Sequence, residues 1–421
     1  MKVLIITYYW PPAGGSGVQR WLKFAKYLPE FGIEPIIYTA DANYEAIDES
    51  LLKEVPAGVK VLKQPIIEPN TFMKKKGVAT ARVNDKPSLI QRIMQYIRGN
   101  YFIPDARLFW IRPSVRYLSK YLKDNQVDVV ISTGPPHSMH LIAMELKRRL
   151  GIKWVADFRD PMADLFYNSD LMLSQKALQT LSKLEKQIVE NASLTTVVNG
   201  FIYNKFKNYS ASIALITNGF DDEVLSDKNV DLDDKFTLSH IGLFPHQSNP
   251  IVLWEVLREL VKENEKFASD LEIKLIGNIA EEVILTINTN GLDGNLNRLE
   301  YMPHKQAITC LQKSQMLLLV VPNVDKGYGI IPGKVFEYIA SNRPILGFGV
   351  KDGETAKIVE ETNTGSFFEF DQDNVVLKEY ILKKYNEYLT TGLNVVSTDV
   401  SKYHRKHLTS VLSQQLKSLS E

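Results

Sequence analysis

The stretch MKVLIITYYWPPAGGSG (residues 1–17), continued by Val18 to Phe31, decides the fold. Val3 to Tyr9 is an unbroken apolar run rich in branched and aromatic side chains. A strand covered on both faces reads this way, as in a parallel sheet. Pro11, Pro12, Gly14, Gly15 and Gly17 then break the run. From Val18 the spacing becomes helical, with Val18, Trp21, Leu22, Ala25 and Leu28 on one face and Gly32 as the C-terminal stop. Strand, glycine loop and helix open a doubly wound α/β domain.

The alternation continues outward. Ile33–Thr39, Val127–Ser132, Lys153–Ala156 and Leu194–Val198 read as strands, and His137–Leu150, closed by Gly151, as a helix. Between about residues 65 and 125 the rhythm breaks, and a mainly helical insertion is expected. Ala214–Thr217 is strand-like, and the acidic stretch from Asp221 to Asp234 suits a linker. Alternation then restarts with strands at Phe236–Ile241, Leu271–Ile276, Leu299–Met302, Met316–Val321 and Pro344–Phe348. Helices are expected at Val252–Asn264, Glu281–Asn290, Lys305–Lys313 and Val335–Ser341. The expected domains are residues 1–220, a linker at 221–235, and residues 236–395. A tail helix within 400–421 carries Leu408, Val411, Leu412, Leu416 and Leu419 on one face.

The 421 residues are 44% apolar and 24% charged, enough to build sizeable cores and unlike a disordered chain. One cysteine, Cys310, permits no intrachain disulfide and suits a reducing compartment. No apolar run approaches the ~20 residues a membrane helix needs, and the N-terminus lacks a signal-peptide cleavage pattern. A cytoplasmic protein is expected.

Four motifs carry chemistry. Gly14-Gly15-Ser16-Gly17 ends a strand and starts a helix, so Gly15 and Gly17 can bring backbone amides to a phosphate, or form only a flexible turn. The dinucleotide fingerprint fits poorly, because Arg20 stands where it needs a small residue. Ser132 to Ser138 places His137 at a helix start, either touching a ligand or capping the helix. His140 follows, but further metal ligands are not evident nearby and no metal is expected. Ala156-Asp157-Phe158-Arg159-Asp160-Pro161 puts three charges at a strand end, either an Asp–Arg pair ordering the loop or a site in which Asp160 handles a proton. Finally, Tyr328 to Leu346 contains a glycine loop with Ile331 and Gly333, then Lys334 and, one turn on, Glu337. Lys334 can neutralise phosphate charge, and Glu337 can accept hydrogen bonds from a ribose.

This last stretch resembles the nucleotide-sugar signature of retaining GT-B glycosyltransferases, in particular glycosyltransferase family 4. The Pro11–Gly17 loop, the Asp128–His137 segment and Ile216-Thr217-Asn218-Gly219-Phe220-Asp221 are similar to further family segments. The resemblance implies the GT-B fold, two doubly wound Rossmann-like domains facing a central cleft. It implies a nucleoside-diphosphate sugar as co-substrate without another cofactor, retention of configuration, and a tail helix returning to the N-terminal domain. Gly15, Gly17, Ile331, Gly333, Lys334 and Glu337 would bind the donor, and His137 and Asp160 would serve catalysis. The family's first signature glutamate is replaced by Gly329, and its Arg/Lys pair is absent from Gly242–Asn249. A sugar-nucleotide epimerase and a catalytically impaired assembly partner therefore stay open as readings.

Phe72 to Lys123 contains twelve basic and two acidic residues, among them Lys74, Lys75, Lys76, Arg107 and Arg112, with Trp110 and other aromatics interleaved. Such a segment suits an anionic membrane surface and a polyprenyl-linked or glycan acceptor, or is a solvated face over a core. No nucleic-acid module is evident. The expectation is a glycosyltransferase of cell-envelope polysaccharide synthesis, peripheral on the inner face of the cytoplasmic membrane.

Overall fold

The computed structural model describes residues 1–44, 46–66, 89–164, 172–224, 230–324, 327–393 and 395–420. The chain divides into two compact units, Met1–Asn218 with Arg405–Glu421, and Gly219–His404.

The first unit holds a seven-stranded parallel sheet: β1 (Lys2–Ile6), β2 (Glu34–Asp41), β3 (Lys60–Pro65), β4 (Val129–Gly134), β5 (Lys153–Phe158), β6 (Leu194–Val197) and β7 (Ile213–Leu215). Their spatial order is β3-β2-β1-β4-β5-β6-β7. The chain thus winds outward from β1 in one direction, then from β4 in the other, and the β1/β4 junction is the switch point where such sheets bind ligands. The helices are α1 (Ser16–Tyr27), α2 (Leu89–Tyr101), α3 (Ile111–Asp124), α4 (Ser138–Leu150), α5 (Gln175–Asn191) and α6 (Gly200–Phe206). Alternation along β1 sends Leu4 and Ile6 into a core with Trp154, Ile142 and Leu146, while Val3 and Ile5 meet Val18, Trp21 and Leu22 on the other face.

The second unit repeats the plan with β8 (Phe236–Ile241), β9 (Leu271–Ile276), β10 (Leu296–Leu299), β11 (Met316–Val320), β12 (Ile345–Phe348) and β13 (Gly365–Phe368). They lie in the order β10-β9-β8-β11-β12-β13, all parallel. Its helices are α7 (Ile251–Glu263), α8 (Glu265–Asp270), α9 (Glu281–Thr289), α10 (His304–Lys313), α11 (Lys334–Ala340), α12 (Glu354–Glu361) and α13 (Asn374–Thr390). The chain then returns to the first unit as α14 (Arg405–Ser420). Leu408, Leu412 and Leu416 there are buried with Val18 and Leu22, and Lys406 pairs with Glu30 at 2.7 Å.

The acidic stretch read as a linker is partly structured. Asp222–Val224 forms a short 3-10 turn, Val224 is buried in the second unit, and its carbonyl accepts from Gln312. No described helix is long and apolar enough to cross a membrane.

Candidate functional site

Each unit gathers polar groups at its own switch point. In the first, Gly15 caps α1 with φ 89°, a backbone conformation that L side chains resist. Among the described residues, the amides of Gly15 and Gly17 have no acceptor, as expected for a helix start. A Cβ on Gly17 would lie 3.1 Å from the Tyr9 ring and 3.3 Å from Nη1 of Arg159, so the loop runs directly against that guanidinium.

Asp157, at the end of β5, is fully buried and pairs with Arg20, one turn into α1, at 2.8 Å. Trp21 Nε1 and the hydroxyls of Thr133 and Thr196 also donate to it. Burial pushes this carboxyl up, but Arg20 and the two hydroxyls outweigh it and leave it below its ordinary value. The ion pair of Asp157 thus joins β5 to α1 through Arg20, and is not the pair within the motif that the sequence suggested. Arg159 donates from Nη1 to Gly17 O at 3.4 Å and from Nη2 to Pro135 O, while its Nε has no partner. Beside it, Asp160 has no hydrogen-bond partner among the described residues. Burial lifts its carboxyl above the usual value, opposed by Arg159.

His137 sits at the start of α4 but makes no capping bond. The cap is Asp105, which accepts from Ser138 N and Oγ at 2.8 Å each. His137 is 5% exposed, and neither ring nitrogen has a partner. Burial first, then His140 and Arg159, hold its pKa well below the ordinary value, so the ring is neutral. His140 contacts Ser132 Oγ through Nδ1 at 2.8 Å and stacks on Phe158, and burial brings its pKa down to about 3. A Cβ on Gly134 would lie 2.7 Å from His137 Nδ1 and from His140 Nε2, so a glycine is needed for both rings to close over the strand end.

In the second unit, His240 lies in β8 and is fully buried. Its Nδ1 is 3.0 Å from Leu318 O in β11, and its Nε2 is 3.1 Å from Nζ of Lys334. Lys334 also donates to Leu243 O at 3.2 Å and lies over Gly242, where a Cβ would approach Nζ to 3.3 Å. Burial lowers the Lys334 pKa to about 8, with Glu337 opposing. Glu337, one turn on, meets Nε2 of His304 at 2.9 Å. At Gly333 a Cβ would meet nothing within 4 Å, leaving the start of α11 open, and Ile331 packs against the core below. A concavity of about 430 Å³ lies at the C-terminal ends of β11, β12 and β13, lined by Asn323, Gly349, Val350, Glu369, Phe370 and Asp371.

The basic segment divides. Lys74, Lys75 and Lys76 lie outside the described residues. Trp110 does not face outward as expected: it is 1% exposed, stacks on Tyr38 at 5.1 Å and donates to Pro65 O, because its ring fills the space between α3 and the sheet. Arg107 lies 4.5 Å over the Tyr8 ring. Arg112 is exposed and lines a groove of about 700 Å³ with Arg116, Lys120, Tyr117 and Tyr121. On α2, Leu89 and Ile90 are 73% and 71% exposed, Ile93 and Ile97 are also exposed, and Arg92 and Arg98 are its only charges.

Sequence reading did not find His240 or His304. The signal for His240 is a polar Ser-His pair inside an otherwise apolar strand, Phe236–Ile241. Arg159 was visible only as one member of a charge cluster, and His304 carried no local signal.

No protein-family model matches the chain, and no curated protein matches its sequence. Solved structures do match its shape. A glycosyltransferase from Rickettsia africae is 13% identical, with TM-score 0.60 over 99% of this chain and 93% of that one. S. aureus TarM, in complex with fondaparinux, alpha-GlcNAc-glycerol and UDP, is 13% identical with TM-score 0.58, covering 99% and 98%. A Listeria monocytogenes protein described as a UDP-N-acetylglucosamine 2-epimerase is 12% identical with TM-score 0.56, covering 99% and 96%. The two sheets and their flanking helices have the GT-B fold.

Proposed function

We propose that the chain is a glycosyltransferase that moves a sugar from a nucleoside-diphosphate sugar to a glycan or polyprenyl-linked acceptor in cell-envelope polysaccharide synthesis. The observation that carries this reading is Lys334. Its ammonium is held over Gly242 at the switch point of the second unit, paired with no carboxylate among the described residues, and Glu337 stands one turn further along α11. A diphosphate on Lys334 and a ribose on Glu337 suit that spacing. UDP in the TarM complex is the kind of ligand this arrangement fits.

In this reading the bond from the sugar's anomeric carbon to the diphosphate breaks, and a bond to an acceptor hydroxyl oxygen forms. Lys334 and the open start of α11 at Gly333 stabilise the charge that develops on the departing diphosphate, and Ile331 shapes the turn. The Gly15 and Gly17 amides add donors from the first unit. His137, neutral and unpartnered, contacts the donor sugar or its phosphate. Asp160, with its raised pKa, takes the acceptor proton or orients the acceptor. Retention, membership of family 4 and activity without a metal ion follow from the sequence resemblance and are part of the proposal, as is a cytoplasmic enzyme touching the inner membrane face. The exposed apolar and basic surface of α2 supports that contact.

The test is a panel of sugar nucleotides read by thermal shift and by product analysis, with and without chelator. One donor should raise the melting temperature, release its nucleoside diphosphate, and lose the shift in Glu337→Ala. An altered but intact sugar nucleotide would establish an epimerase, the activity described for the Listeria neighbour. Binding without turnover of any donor would leave an assembly partner.

A further inference from the structure

We infer that the groove between α3 and the edge strand β3 is a docking site for an anionic polymer strand, a glycan or polyol chain with a carboxylate or phosphate on its repeating units. The inference rests on the transferase reading only for the role of that strand, which is the acceptor gripped away from its reacting end.

Arg112, Arg116 and Lys120 stand at successive four-residue steps on α3 and form one row about 12 Å long. All three are exposed, and among the described residues none meets a carboxylate or another hydrogen-bond partner. For the helix alone this row is unfavourable. Both i,i+4 pairs set like charges side by side. Arg112 lies in the first turn, where the helix dipole opposes a cation and no acidic residue answers it. The exposed faces of α4 and α5 instead pair opposite signs, as in Arg149–Glu145 and Lys186–Glu190. Lys60 of β3 adds a further positive charge, with Nζ 4.9 Å over the Tyr121 ring. Asp124, at the far end, is the only acid among the described lining residues. Anions supplied by a ligand would relieve the repulsion along the row.

Shape and lining favour a strand over a membrane. The groove holds about 700 Å³, a volume typical of ligand sites, whereas a bilayer presents a broad surface. Unlike α2, its lining has no aliphatic side chain to enter an acyl layer, and its apolar surface comes from Pro113, Tyr117 and Tyr121. Tyr117 is braced by a stack on Tyr38 at 5.8 Å. The two guanidinium forks match carboxylate and phosphate oxygens in pairs. Direction fits as well. Trp110, just before α3, donates to Pro65 O at the end of β3, while Asp128, just after α3, donates its amide to Lys2 O at the start of β1. α3 therefore runs antiparallel to the sheet, and its Arg112 end lies at the rim of strand C-termini that carries Gly15 and His137. A strand laid along the row has one end at that rim.

Fluorescence anisotropy on the full chain tests this with labelled oligogalacturonate, which has a carboxylate on each sugar, labelled poly(glycerol phosphate), and uncharged maltodextrin. At least one anionic strand should bind, more weakly as salt rises, and maltodextrin should not. The tighter of the two identifies the anion. Arg112→Gln with Arg116→Gln and Lys120→Gln should weaken binding by about 10- to 100-fold and leave melting unchanged, since all three side chains are exposed. A control with the same loss of exposed charge, Lys153→Gln with Lys176→Gln and Lys183→Gln, should keep wild-type affinity. Binding of neither strand, equal weakening in both variants, or tighter binding of single-stranded DNA than of either strand would overturn the groove. So would unchanged strand affinity in the row variant, and loss of phosphatidylglycerol vesicles in that case assigns the row to a membrane. The transferase reading fails separately: a chain that binds the strand through this row but turns over no sugar nucleotide keeps the groove and loses that reading. A chain that turns over a sugar nucleotide but binds neither strand loses the groove alone.

Discussion

Nζ of Lys334 lies 3.1 Å from Nε2 of His240, a histidine whose Nδ1 faces the carbonyl of Leu318 at 3.0 Å. Burial, then Lys334, hold the His240 pKa well below its ordinary value. The neutral ring donates from Nδ1 and accepts at Nε2, so it orients the ammonium without neutralising it. Because the Lys334 pKa is lowered to about 8, the ligand-free protein loses this charge as pH rises through that value. Nucleoside-diphosphate affinity should fall above pH ~8, by at most about tenfold per unit. Lys334→Arg should flatten the profile. Calorimetric titration from pH 6.5 to ~9.5 checks it, and a flat wild-type profile contradicts it.

Asp160 predicts the opposite limb. Its raised carboxyl must be ionised to accept a proton, so kcat should decline as pH falls through a value above the ordinary ~3.9 for aspartate. Asp160→Asn should lower kcat by about 10²- to 10⁴-fold and remove the limb. His137→Gln should lower kcat while leaving the limb in place, because that ring is neutral throughout the range. A limb that survives Asp160→Asn assigns the proton to another group.

The Arg20–Asp157 pair bears on stability. Asp157→Asn leaves Arg20 buried without its charge and should cost about 3–5 kcal/mol. The folded pKa of Asp157 is lowered, so its contribution is present above the unfolded value of ~3.9 and is lost as pH falls through the folded value. Urea unfolding of wild type and variant should therefore differ fully at pH 7 and converge only in strong acid. Equal stability at neutral pH would show the pair to be dispensable.

On α2, Ile93→Asp with Ile97→Asp should reduce co-sedimentation with phosphatidylglycerol vesicles and leave melting unchanged, since both side chains are exposed. Arg92→Gln with Arg98→Gln should weaken binding in low salt, at roughly 1 kcal/mol per charge. Unchanged sedimentation in both variants would remove α2 from the membrane proposal.

Both doubly wound sheets were legible because buried strands carry uninterrupted apolar runs. β8 and β9 fall on the expected residues. Edge strands were not so clear. β3 mixes Lys60, Lys63 and Gln64 with Val61 and Leu62 and went unread, and β10 lies three residues before its expected start. In the sites, Lys334 and Glu337 were readable because one helical turn joins them. Arg20 and Asp157 stand 137 positions apart, as do no residues a local motif can link, and only the β1–β4–β5 arrangement brings them together. Trp110 misled because an aromatic among arginines has the same composition whether it faces lipid or core.

The return of α14 gives the first unit a discontinuous recipe. Its β-sheet is encoded by residue 215, yet the strip covered by Leu408, Leu412 and Leu416 stays bare until α14 has been made. A nascent chain emerging from the ribosome must therefore carry that greasy seam through synthesis of the whole second unit. A premature stop before residue 405 would leave it permanently open to chaperones and proteases.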